Sequence, residues 1–148
     1  MENQQAVLTR KVYSKGQILL SAIIGGPLVA GYLISQNYKT FGETEVSKKS
    51  LLVTVVSTIV FLIMITALPE SMTRNIPNLT FALIPVGVIS WFVQTHQAKH
   101  IDEYLQKGYR KSAILPVLGK SVLSLLIVII LVAILAFIQI LISPGPSY

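Results

Sequence analysis

The chain has 148 residues, 53% of them hydrophobic and only 12% charged, with a net charge of +6 and no cysteine. A soluble domain of this size presents roughly a quarter of its residues as charges, so about half of a polar coat is missing and the expected solvent is lipid; the mean hydropathy of +0.69 agrees. The lack of cysteine excludes disulfides, thiolate metal sites and cysteine nucleophiles, and the lack of a basic face on a soluble fold argues against nucleic acid as a partner.

Taken in chain order, residues 1–15 are polar and carry Arg10, Lys11 and Lys15 near their end. An uncharged stretch follows over 16–38. A basic tail before an apolar run also opens a signal peptide, but no small-x-small cleavage site follows, and the stretch reads as retained. Further uncharged runs cover 50–69, 75–98 and 121–148. Each supplies about the 20 mostly apolar residues that a helix needs to cross a ~30 Å hydrocarbon layer. The last is the most apolar, and Ser143-Pro144-Gly145-Pro146 should end it, because proline cannot continue the hydrogen-bond ladder.

Residues 37–49 read as a polar loop and 70–74 as a tight turn, making the second and third runs an antiparallel hairpin. In 99–111, Ile101, Tyr104, Leu105 and Tyr109 recur at helical spacing among charged residues, the pattern of an amphipathic helix on a membrane surface or of a helical extension of the third segment. Glu103 stands four residues from both Lys99 and Lys107, where ion pairs form on a helix. The expected fold is therefore an all-α integral membrane protein forming one domain over 1–148. Its hydrophobic helical segments lie at about 17–37, 50–69, 76–97 and 117–142, with an amphipathic interfacial helix at about 98–111.

The first segment has two readings. Gly25-Gly26-Pro27 sits at its middle, where proline removes a ladder bond and glycine loosens the backbone, so the helix should break or kink. If all four segments cross, Lys and Arg divide four against eight between the two sides. If the first segment dips in and returns, the division is eleven against one, with Arg74 alone outside. Positively charged loops mark the cytoplasmic side, and the C-terminus lies outside in both arrangements. The competing reading is a kinked spanning helix whose Ala22, Gly26 and Ala30 form a small-residue face for a neighbouring helix.

No charged side chain lies deep in any run, which argues against proton- or ion-coupled machinery. Ser47, Ser50, Thr54, Ser57 and Thr58 share roughly one face of the second segment. They read as hydroxyls bonded to helix carbonyls, or as a polar lining that stops before Thr66, halfway through a bilayer. His96, His100 and Glu103 at i, i+4 and i+7 share a face that would suit a metal ion. However, Gln97 stands where a zinc-protease helix needs its glutamate. Two ordinary interfacial histidines, or a pair titrating near pH ~6.5, are the alternatives. Trp91, Tyr104, Tyr109, Tyr32 and Tyr38 read as interface anchors, and Gln139 as an amide joining helices at depth.

The stretch Gly25-Gly26-Pro27-Leu28-Val29-Ala30-Gly31-Tyr32, followed by Asn37-Tyr38-Lys39 and Gly42, resembles the opening of a group of small uncharacterised bacterial membrane proteins. In that group a similar segment precedes three more hydrophobic helices. The resemblance covers about the first 42 residues and implies a multi-pass protein of the bacterial cytoplasmic (inner) membrane, with no activity attached. The leading expectation is a non-enzymatic protein without a cofactor. It would sit in the lipid bilayer and bind another membrane protein or itself, as an accessory subunit or a toxin-immunity protein. A small homo-oligomeric channel or carrier, and a metal-dependent enzyme using His96, His100 and Glu103, are the alternatives.

Overall fold

The computed structural model describes residues 11–69 and 78–142, and helix accounts for 87% of it. In order, the elements are β1 (Lys11–Val12), α1 (Lys15–Thr40), α2 (Thr44–Ala67), α3 (Asn78–Phe92), a π-helical turn (Val93–Gln97), α4 (Ala98–Gln106), β2 (Arg110–Lys111) and α5 (Ile114–Ile142). Helices α1, α2 and α5 are long and apolar enough to cross a membrane. Among the described residues, the expected third segment is α-helical over 15 residues in α3, about 22 Å, before the π turn carries the helix on into α4. The tail 1–10, the turn 70–74 and the helix stop at 143–146 lie outside the described residues.

Helix α1 is not straight. Ser14 caps it: its hydroxyl accepts from the Gln17 backbone N–H while the Gln17 side chain accepts from the Ser14 N–H, a reciprocal capping box. The helical ladder then fails at Gly26, whose φ of 77° and ψ of −170° belong to a region that only glycine occupies without strain. Beyond it the chain reverses. The Tyr13 N–H donates to Asn37 Oδ1 and Asn37 Nδ2 donates to the Tyr13 carbonyl, both at 2.8 Å. A continuous helix would hold residues 13 and 37 about 36 Å apart. Helix α1 is therefore a hairpin with an outgoing arm of about 16 Å and a return arm of about 21 Å.

The ends of the hairpin join the other polar segments. Strand β1 pairs in parallel with β2, Lys11 opposite Arg110 and Val12 opposite Lys111. The Ser112 N–H donates to the Val12 carbonyl at 2.9 Å, and Gln17 Nε2 to the Ser112 carbonyl at 2.6 Å. Lys15 pairs with Asp102 at 2.9 Å, and the Tyr104 hydroxyl donates to the Phe41 carbonyl. Four helices crossing in sequence would put residues 11 and 110 on opposite sides of a bilayer; here they are partners in a sheet. Of the two readings of the first segment, the returning one matches the geometry.

Three boundaries differ from expectation. Residues 37–49 are helical except at 41–43. The end of α1 closes on itself, Gly42 N–H to the Lys39 carbonyl and Glu43 N–H to the Tyr38 carbonyl, a Schellman arrangement that lets α2 begin at once. The same motif ends the amphipathic helix at Gln106 rather than at 111, through Gly108 to Leu105 and Tyr109 to Tyr104. Helix α5 starts three residues before the expected 117. The expected ion pairs of Glu103 do not form: among the described residues the pairs are Lys15–Asp102 and Lys48–Glu45, and Lys107 lies over the Tyr104 ring.

The buried core lies in the half of the molecule that holds the hairpin. Ile18, Ala22, Ala30, Leu33, Val93 and Val117 form the centre of the core. In α5 the buried residues are Val117, Ser121 and Ser124, and none follows to Ile142, a run of about 27 Å of apolar surface suited to lipid. Because Asn37 makes both 2.8 Å hydrogen bonds to the Tyr13 backbone, Asn37→Leu should strand the Tyr13 N–H and carbonyl. It is expected to cost about 2–4 kcal/mol, read as a loss of resistance to thermal or SDS unfolding of the purified protein.

Candidate functional site

The small residues singled out in the sequence build the hairpin into the protein. Gly25 lies so close to α5 that a Cβ on it would meet the Ser121 carbonyl oxygen at 2.4 Å and the Ser121 Cα at 2.8 Å. Its own carbonyl accepts from the Ser124 hydroxyl at 2.9 Å. Gly31 lies against Thr54 of α2. Ala22 and Ala30 are buried in the core, and Pro27 follows the break at Gly26. Ala22, Gly25 and Ala30 are therefore spent in packing inside the chain, whereas Gly26 itself is half-buried with open space beside it.

The return arm of α1 is flanked by two grooves. The larger, about 500 Å³, lies between the arm, α2 and α3. Its lining includes the small residues Gly31, Ser50, Thr54 and Ser57, together with Pro27, Pro85, Tyr38 and Lys49. Four hydroxyls of the predicted stripe are turned back on their own helix: Ser50 to the Ser47 carbonyl, Thr54 to Ser50, and Ser57 and Thr58 both to Thr54, at 2.7–3.1 Å. The fifth, Ser47, hydrogen-bonds across to Ser35. With its hydroxyls so occupied, the groove presents a mostly apolar surface.

The smaller groove, about 400 Å³, lies between the return arm, α2 and α5, lined by Leu28, Val29, Tyr32, Leu51, Leu123 and Ile127 with Lys120 and Ser124. Lys120 Nζ donates to the Tyr13 hydroxyl and stands 4.9 Å from the Tyr13 ring centroid and 5.4 Å from that of Tyr32. Lys120 stands just before the uncharged run 121–148 and six residues inside α5, about 9 Å along its axis. The partner Tyr13 is not identifiable from spacing, because it arrives through the hairpin fold.

The histidines and Glu103 are not gathered into one cluster: among the described residues no group of three metal-ligating side chains forms. Val93, Gln97 and Ile101 are the buried residues of this stretch, and the two histidines lie against different rings. His96 stacks on Phe92 at 4.6 Å and shares a hydrogen bond with Thr95, while His100 stacks on Phe41 at 5.7 Å. Gln97 is fully buried, its Nε2 donating to the Ile34 carbonyl at 3.0 Å and its Oε1 without a partner. Gln139 acts as a joining amide, Nε2 to the Thr66 carbonyl at 3.0 Å. Of the expected interface aromatics, Trp91 is exposed, whereas Tyr38 is buried in the core and Tyr104 packs on Phe41 and Tyr109.

Comparison of this chain with protein-family models, with curated proteins and with solved structures gives no match.

Proposed function

We propose that this chain is a non-enzymatic protein of the bacterial cytoplasmic membrane that acts by binding another membrane-embedded chain, and that a helix of that partner lies in the larger groove. The observation that carries this reading is the open part of the groove. Ser50 and Ser57 in its lining are of the small residue types that let two helix backbones approach closely where lipid offers no hydrophobic drive to association, whereas Gly31 and Thr54 are already packed on each other. The rims are bulky and open, with Val53 and Val88 more than half exposed.

In the accompanying topology, α2, the α3 segment and α5 cross the membrane, α1 dips in from the cytoplasmic side and returns, and the C-terminus is outside. Eleven of the 12 Lys and Arg residues then face the cytoplasm, which supports the orientation. A solute path has less behind it, because the hydroxyls that would line one are bonded to helix carbonyls.

The test is a photo-reactive residue at position 53 in the intact chain, irradiated in its native membrane. A discrete polypeptide adduct, lost when Ser57→Trp fills the groove, is the expected result. Adducts only to lipid, or solute flux through the purified chain alone in liposomes, would overturn the reading.

A further inference from the structure

We propose that the smaller groove is a binding site for one anionic phospholipid, with its phosphate on Lys120 and an acyl chain against Leu28, Leu51, Leu123 and Ile127. The inference goes beyond partner binding. It shares with that reading only the placement of the chain in a membrane. Its first support is the state of Lys120. An ammonium carries three N–H donors, and Tyr13 Oη takes one. The two ring faces beside it attract the cation but do not neutralise it, and among the described residues no carboxylate pairs with it. Lys120 is half-buried at the head of the groove, where an anion would meet a positive charge with N–H donors left.

The second support is the wall below the lysine. From Lys120 to Ile127 the groove descends about 10 Å between leucine, valine and isoleucine side chains. This differs from the larger groove in a way that selects the occupant. Bulky branched walls with Ser124 as the single small residue give a helix backbone no place to approach, whereas a flexible hydrocarbon chain needs only apolar contact. A free anion would satisfy Lys120 and leave the groove beneath it unused. A phosphodiester bearing an acyl chain uses both, and basic pockets between helices on the cytoplasmic face are where anionic headgroups bind.

The test uses the full chain in mild detergent, exchanged into mixtures of phosphatidylglycerol and phosphatidylcholine, with bound lipid counted by native mass spectrometry. One phosphatidylglycerol per chain should be retained about tenfold over phosphatidylcholine, the ratio expected of one charge-assisted contact. Lys120→Gln should abolish the preference, Lys120→Arg should keep it, and Lys49→Gln at the other groove should leave it unchanged. Leu123→Trp, which fills the groove and spares the lysine, should lose the lipid as well, so a folding defect in one variant does not decide the matter. Equal retention of the two lipids would overturn the proposal, as would a preference that survives Lys120→Gln. Release of the lipid by millimolar inorganic phosphate alone would reduce the site to a small-anion site and overturn the lipid assignment. A polypeptide adduct from a photo-reactive residue at position 127 would overturn it in favour of a protein occupant.

Discussion

Cysteines introduced at Lys11 and Arg110 will form a disulfide in native membranes under mild oxidant. The chain supplies a background with no cysteine of its own, so any cross-link within the chain comes from the introduced pair. The two positions are Cα partners in the parallel β1–β2 pair. Neighbouring strands lie about 4.7–4.9 Å apart, inside the ~4.4–6.8 Å range that a disulfide spans. If the first segment crossed the bilayer, the same residues would be separated by about 30 Å of hydrocarbon and no oxidant would join them. The expected outcome is a shift to a faster-migrating, reductant-sensitive species in most of the protein. The control pair, Lys11→Cys with Thr66→Cys near the far end of α2, should give none. A pair at 11 and 110 that stays reduced while the protein remains folded would sink the hairpin arrangement.

That arrangement was only half visible in the sequence, and the reason is physical. Helix periodicity and apolar run length report what each segment is, and they give α2 and α5 to within a few residues at their C-terminal ends. They also mark Gly25-Gly26-Pro27 as the place where α1 must break. Whether a broken helix kinks or reverses depends on what its two ends bind. Those partners are Asn37 with the Tyr13 backbone, Gln17 with the Ser112 carbonyl, and β1 with β2, contacts 24 to about 100 residues apart in sequence that no local pattern encodes. The one long-range signal in the sequence was the charge division of eleven against one, which carries topology because it sums over the whole chain. The candidate grooves were hidden for the same reason. The hydroxyl stripe of α2 was legible as a stripe, but its place in the lining of a groove depends on the return arm of α1 beside it. The histidine spacing suggested a shared face, but spacing does not report that His96 stacks on Phe92 and His100 on Phe41. Lys120 fell within the expected 117–142 segment, but its partner Tyr13 arrives only through the hairpin.

Alanine at Gly25, Gly26 and Gly31 will each destabilise the protein, for three separable reasons, and the separation tests the hairpin tip atom by atom. At Gly26 nothing lies within 4 Å of an added Cβ, so the cost comes from the backbone alone. Holding φ at 77° with a side chain present should take about 1–3 kcal/mol, and valine should cost more than alanine, because a β-branched side chain is the least tolerated at positive φ. At Gly31 the obstacle is a side chain: an added Cβ would sit 2.1 Å from Thr54 Cγ2 and Oγ1 and 2.5 Å from its Cβ. Overpacking of this kind costs about 1–3 kcal/mol. Because glycine at 54 removes all three atoms, Gly31→Ala and Thr54→Gly should be coupled by about 1 kcal/mol or more in a double-mutant cycle. At Gly25 the leading obstacles are the Ser121 carbonyl oxygen and Cα, atoms that every residue keeps. Gly25→Ala should therefore be the most damaging of the three, and combining it with Ser121→Gly should bring no relief, the two effects adding to within about 0.5 kcal/mol. The measurement is SDS or thermal unfolding of the purified variants. Coupling at Gly25 with additivity at Gly31, or mild effects at all three, would mean that the arms of the hairpin do not approach α2 and α5 as described. The expected pattern would establish that glycine is required at the tip for backbone shape at one position and for close packing at the other two.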